Sequence, residues 1–312
     1  MSYIKKIFLF SAFFIINLKV THASTHEFFS PCFTFDDTEN VTGCHVTLSG
    51  RSHKGLGWTA REVQKNDIDF LTQLYKNQTV MSGFAGGETR DRAYVERRVN
   101  DSWIPRFKNG NPHGGLTLLK ETDRSSEPQR IGYLVAGGGE GRGVSEVAYA
   151  LCEDSCFPDG TPGIWGQGVI SSAVGAIVQE WGPEVRRLGT DINIPAAIQA
   201  KFQCFSGAAL ERFDATASPS NPGSWKALKK NGFCAASFKV EDDETVADFD
   251  GKELTFKDWE SDLITVTREY CLPIGKRFKV VGLDGDIYTV SQHPRFKERM
   301  KLHFEYQLPG TK

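Results

Sequence analysis

The chain has 312 residues, 39% hydrophobic and 24% charged, with a formal net charge of -2. That length allows one large domain or two small ones, and that composition fits a soluble globular protein with a sizeable core. A near-neutral balance without a long basic tract excludes electrostatic capture of nucleic acid as the main task.

Lys5 and Lys6 precede an apolar run from Ile7 to Leu18, and Thr21 and Ala23 hold the small-residue positions of a cleavage site. Charged start, short apolar middle and small-residue exit predict a signal peptide over 1–23, cut after Ala23. The run is about a dozen residues, short of the ~20 a membrane helix needs. The membrane is therefore a partner only during export. A cleaved chain is periplasmic or secreted; an uncleaved one is cytoplasmic. Seven cysteines leave at least one thiol unpaired, and export would permit Cys32–Cys44 or Cys152–Cys156. The Cys-x-x-x-Cys at 152–156 lacks a second pair, so no metal site is expected.

An irregular lead-in is predicted over 24–54. A strand follows at 57–63. Ile68, Phe70, Leu71 and Leu74 recur at helical spacing within 67–75. Residues 88–103 read as a charged, solvated helix carrying Arg90, Arg92, Arg97 and Arg98. Strands at 115–120, 130–135 and 144–151 form an antiparallel meander, with Gly supplying positive φ in the 137–143 bend. That bend is no dinucleotide fingerprint, because its glycines alternate and a strand, not a helix, comes next. A loop spans 152–162. Apolar residues from Ile170 to Trp181 then fall on one stripe of a helix over 166–181. A short strand is expected at 186–192, and helix plus loop over 194–220. Asn221 caps a helix whose first residue is Pro222, and Gly232 ends it. Further strands are expected at 233–240, 263–270, 278–282 and 287–290, with an acidic solvated segment at 241–262.

Two segments carry chemistry. In the loop Gly163-Ile164-Trp165-Gly166-Gln167-Gly168-Val169, the glycines let the backbone approach a bulky anion. The next helix aims its free amides and positive dipole end at that anion, which suits a diphosphate. A Gly-x-Gly before a helix also arises as a plain tight loop. The second segment is the helix from Asn221 to Phe233, some fifty residues on.

Together these resemble the GNAT superfamily of N-acetyltransferases, and within it the branch acetylating N-termini of ribosomal proteins. Trp165-Gly166-Gln167-Gly168 matches that branch's loop, and Asn221, Ser224, Leu228, Lys230, Gly232 and Phe233 match its helix. The resemblance implies an α/β (mixed α+β) GNAT fold. Its central mixed, mostly antiparallel sheet is splayed into a V and flanked by helices. The domain is expected over 55–272, with a β-rich C-terminal extension at 273–312.

The resemblance further implies acetyl-coenzyme A as co-substrate, entering between the strands at 144–151 and 186–192. Its pantetheine arm would pair with the edge of Val147, Tyr149 and Leu151. Its pyrophosphate would rest on the amides of Trp165, Gly166, Gln167, Gly168, Val169 and Ile170, with Asn221 and Ser224 on its distal part. Glu146 is the first candidate for the base that deprotonates the acceptor, and Asp191 on the next strand is the second. The acceptor is a primary amine on a peptide or small molecule. The alternative is an exported GNAT-like binding or effector protein without catalysis. A third reading is a nucleotide- or phosphate-binding protein of another fold that uses the Gly166–Gly168 loop alone.

Overall fold

The computed structural model describes residues 26–35, 41–84, 87–121, 128–139, 141–153, 164–204, 207–217, 221–240, 244–248, 255–256, 264–265, 279–281, 287–289 and 300–310. The signal peptide expected at 1–23, Cys156 and Gly163 lie outside them. Among the described residues no helix is long and apolar enough to cross a membrane.

The strands are β1 (His26–Phe35), β2 (Val41–Arg51), β3 (Gly57–Glu62), β4 (Gly114–Lys120), β5 (Gln129–Ala136), β6 (Val144–Leu151), β7 (Arg212–Ala217), β8 (Cys234–Val240) and β9 (Glu244–Asp248). Two small hairpins follow, β10 (Thr255–Phe256) with β11 (Ile264–Thr265), and β12 (Lys279–Val281) with β13 (Ile287–Thr289); the last strand is β14 (Met300–Gln307). One sheet runs in the order β1-β2-β3-β4-β5-β6-β7-β14-β8-β9. Every neighbouring pair in it is antiparallel except β6 and β7.

The sheet is covered on both faces. One face carries α1 (Ile68–Lys76), followed by α2 (Gln78–Ser82), and a helical run of α3 (Arg92–Arg97), a π turn (Arg98–Trp103) and α4 (Ile104–Lys108). There Tyr75 stacks on Tyr133 with centroids 5.4 Å apart, and their hydroxyls bond at 2.8 Å. The other face carries α5 (Val169–Ala176), a second π turn (Ile177–Trp181) and α6 (Gly182–Thr190), then α7 (Ala196–Gln199) and α8 (Pro222–Lys230). Val169, Ala173, Val174, Ile177, Val178 and Trp181 are all buried, as their helical spacing predicts. Burying each larger one contributes roughly 1.5–3 kcal/mol. The bend between β5 and β6 uses left-handed glycines, with φ +82° at Gly138 and +73° at Gly143.

Four expectations are corrected. Residues 186–192 are not a strand: α6 continues through Thr190, with Arg187 paired to Glu184 at 2.7 Å and Asp191 at 3.5 Å, three and four residues away. The lead-in is not irregular, since β1 and β2 lie there and Cys44, Val46 and Leu48 alternate into the core. Part of the acidic 241–262 segment is β9, paired with β8. Residues 300–307 of the expected extension belong to the main sheet: β14 lies between β7 and β8, with Phe304 fully buried. Cys44 is moreover a buried free thiol, so the Cys32–Cys44 link is not made.

A buried histidine ties the second face together. His113 donates from Nε2 to the Phe202 carbonyl at 3.2 Å and meets Trp181 edge-on at 5.2 Å. Burial pushes its pKa down to about 4, with the nearby Arg106 charge adding to the effect. The unfolded chain therefore takes up a proton near pH 6.5 that the folded chain refuses until about pH 4. Stability should fall by about 3 kcal/mol as pH drops through that window. Urea midpoints at pH 7 and pH 4.5 check this: His113→Gln should lose much less than the wild type on acidification. Equal losses would refute it.

Candidate active site

The parallel pairing of β6 and β7 is short. Val144, Ser145 and Glu146 face Arg212, Phe213 and Asp214, and pairing stops there. The amide of Gly137 bonds the Glu146 carbonyl and that of Cys152 bonds the Ile131 carbonyl, so even-numbered β6 residues point their main chain at β5. By alternation the main chain of Val147, Tyr149 and Leu151 points the other way, into the opening. The sequence expected this edge on β6. It expected the facing wall at 186–192, and that wall is β7.

At the far end of the opening stands the glycine loop. Gly166 and Gly168 have φ of +73° and +80°, and Gly168 is the N-cap of α5 with no side chain capping it. The first-turn amides of α5 are thus not satisfied by a capping side chain. A Cβ on Gly166 would meet nothing, whereas one on Gly168 would run into the His53 ring. His53, in the hairpin between β2 and β3, was not singled out from the sequence; no motif marks it. Gln167 sits between the two glycines, Val169 is fully buried and Ile170 half-buried. Trp165 is 48% exposed, and its Nε1 donates to the Leu151 carbonyl at 3.2 Å, so one acceptor of the β6 edge is already engaged.

The other wall is α8. Asn221 caps it by accepting from the Ser224 amide at 3.1 Å, while its Nδ2 donates to the Gly83 carbonyl at 3.3 Å. The Tyr149 hydroxyl lies 3.0 Å from Ser224 Oγ and 3.1 Å from the Ser224 carbonyl, tying β6 to the start of α8. At the other end of α8, Asn231 donates to the Ser171 carbonyl at 2.8 Å, which joins α8 to the first turn of α5. The two segments that carried the sequence argument are therefore in direct contact.

Glu146 points to the face of α3 and α4. It lines a pocket of about 500 Å³ with Tyr94, Arg97, Arg98, Trp103 and Arg106. Beside it on the same face, Asp214 bonds Arg212 at 2.8 Å and His303 at 3.2 Å, and Glu305 bonds Arg212 at 3.3 Å. Asp214, His303 and Glu305 cluster closely enough for a cation. The Arg212 guanidinium already answers both carboxylates. Asp214, on a strand the sequence did not reveal, is the β7 partner of Glu146. Asp191, expected in that place, instead ends α6, where Asn193 amides hold its carboxyl below the usual range.

Comparison with known proteins gives a family. The family model described as "Acetyltransferase (GNAT) domain" matches residues 58–234. No curated protein matches. Among solved structures, a GNAT-family acetyltransferase from Bacillus anthracis aligns over 80% of this chain and 94% of its own, at 11% identity and TM-score 0.43. The ribosomal-protein-S5-alanine acetyltransferase from Vibrio fischeri aligns over 82% and 95%, at 11% identity and TM-score 0.43. A spermidine N-acetyltransferase from Vibrio cholerae, solved with CoA and spermine, aligns over 61% and 89%, at 14% identity and TM-score 0.39.

Proposed function

The chain belongs to the GNAT acetyltransferase family, and from that premise we propose that it moves an acetyl group from acetyl-coenzyme A to a primary amine by direct attack in a ternary complex. The observation that carries this is the opening where β6 and β7 part after Glu146, with an uncapped helix N-terminus at its far end. A pantetheine arm pairs there with the main chain of Val147 and Tyr149 like an added strand. The first-turn amides of α5 take the diphosphate, with His53 beside them.

Acetyl-coenzyme A supplies the thioester. The amine must reach it neutral, and Glu146, on the acceptor side of β6, takes the proton that the amine gives up. The β6 amide beside the opening donates to the oxygen on which negative charge develops. The N–C bond forms, the C–S bond breaks, and the thiolate leaves to be protonated. The acceptor is placed on the face that Glu146 shares with the pocket under α3 and α4, in keeping with the branch that acetylates ribosomal-protein N-termini.

Thermal denaturation with acetyl-coenzyme A, followed by thiol release across an amine panel, tests this. At about a hundred times its Kd the co-substrate should add about 2.7 kcal/mol of stability. Gly168→Val must adopt a φ that costs an L-residue roughly 1–2 kcal/mol, and its side chain collides with His53. It should weaken co-substrate binding at least tenfold. No shift in the wild type, or an unchanged affinity in the variant, would sink the placement.

A further inference from the structure

The charges around Glu146 are unequal. Among the described residues, the pocket it lines holds one carboxylate and three guanidinium groups, on Arg97, Arg98 and Arg106. Arg97 and Arg98 enter no ion pair among the described residues.

Arg98 is nevertheless held in place. Its Nη1 donates to the Tyr94 hydroxyl at 3.2 Å, and its guanidinium lies over the Trp103 ring, 5.2 Å from the centroid, and the Tyr94 ring, 5.9 Å away. The π turn makes this possible. Arg98 and Trp103 are five residues apart, a spacing an α-helix sends to different faces and a π turn brings together. Trp103 is itself buried against Tyr133 in the sheet. A planar guanidinium fixed on an aromatic face keeps its edge donors available for a carboxylate or phosphate.

Arg106 adds a cost. Burial, together with the Arg98 charge, pushes its pKa down to about 10. Cations gathered in a concave site are a strain that an incoming anion relieves.

On the reading that the chain acetylates amines at Glu146, we infer that the acceptor is a zwitterion: an amine that carries a carboxylate or phosphate group, with the amine at Glu146 and the anionic group on Arg98 and Arg106, Arg97 standing at the rim. Cationic polyamines are disfavoured by the same three charges, which places the acceptor among amino acids, acidic peptide N-termini or aminoalkyl phosphates.

The test separates this inference from the reaction itself. With the full chain saturated by coenzyme A, so that the α5 N-terminus is filled, O-phosphoethanolamine, β-alanine, ethanolamine and spermidine are titrated by calorimetry. One or both of the acidic amines should bind at least tenfold more tightly than ethanolamine, and spermidine no better than ethanolamine. Whichever acid binds tighter identifies the anionic group. Arg98→Gln should erase the preference, and Arg106→Gln should reduce it. Equal binding of the four probes, tighter binding of spermidine, or a preference that survives both substitutions would overturn the inference. Rates of thiol release with the same amines then report on the reaction. Absent transfer alongside selective binding would sink acetylation and leave the anion subsite standing. Transfer to ethanolamine at the rate of the acidic amines, with no binding preference, would do the reverse.

Discussion

Glu146→Gln should lower kcat by about 10²- to 10⁴-fold, the usual contribution of a positioned proton acceptor. Co-substrate affinity should stay within a few-fold of wild type, because the β6 main chain and the α5 amides do not depend on that side chain. Glutamine keeps the length and the hydrogen-bonding oxygen of glutamate but cannot take a proton from the amine. Glu146 is the last β6 residue paired with β7, so it sits where the opening begins and lines the pocket under α3 and α4. A loss confined to KM would instead mark it as a charge that only holds the ammonium form. Activity within threefold of wild type would remove it from the mechanism.

The second large effect concerns stability. Asp67 is fully buried, and its carboxylate accepts five hydrogen bonds: two from Arg61 at 2.7 and 2.9 Å, one from Arg130 at 2.7 Å, one from Thr117 at 2.8 Å and one from the Gln64 amide at 2.9 Å. These partners sit on β3, β4, β5 and the approach to α1, so one side chain clamps three strands to a helix. Asp67→Ala should cost about 3 kcal/mol, the low end for breaking a buried pair, because both arginines reach solvent. Burial opposes ionisation of Asp67, but the two guanidiniums, the amide and the hydroxyl outweigh it and lower the pKa to about 2. A depressed carboxyl contributes stability above its unfolded value near 4 and loses it as pH falls toward 2. The loss that comes from His113 is common to both chains, so on going to pH 3 the wild type should lose only about 1 kcal/mol more than the alanine variant. Urea unfolding at pH 7 and pH 3 measures both, and a loss below about 1 kcal/mol at pH 7 would contradict the clamp.

Legibility in the sequence followed the range of the interactions. The helix at 222–230 was readable because its signals are local: Asn221 caps, Pro222 starts and Gly232 takes φ +84° just beyond the end. The Gly-x-Gly loop at 166–168 before a helix and the strand at 144–151 were readable for the same reason. What failed was pairing between distant segments. β7 is six residues long, and only Phe213, Ala215 and Ala217 mark its buried side, so its sequence stands out no more than the short strand candidate at 186–192. The Glu184–Arg187–Asp191 charge spacing was the local signal for helix there, and it was passed over. The arginines of 88–103 read as a solvated face because helical spacing assumes 3.6 residues per turn. The π turn that lays Arg98 on Trp103 breaks that assumption.

The place of β14 sets an order on assembly. It is the last of the described strands, yet it fills the gap between β7 and β8, which are made well before it. During synthesis at about 5–20 residues per second, β7 waits with its outer edge bare until residues 300–307 emerge. One side of the cleft can therefore become rigid only after those residues have been made. Such a late, long-range closure is slow and leaves a bare strand edge that invites mispairing. A chain clipped before Met300 would keep every residue of the proposed site and lack the brace that holds β7 against β6.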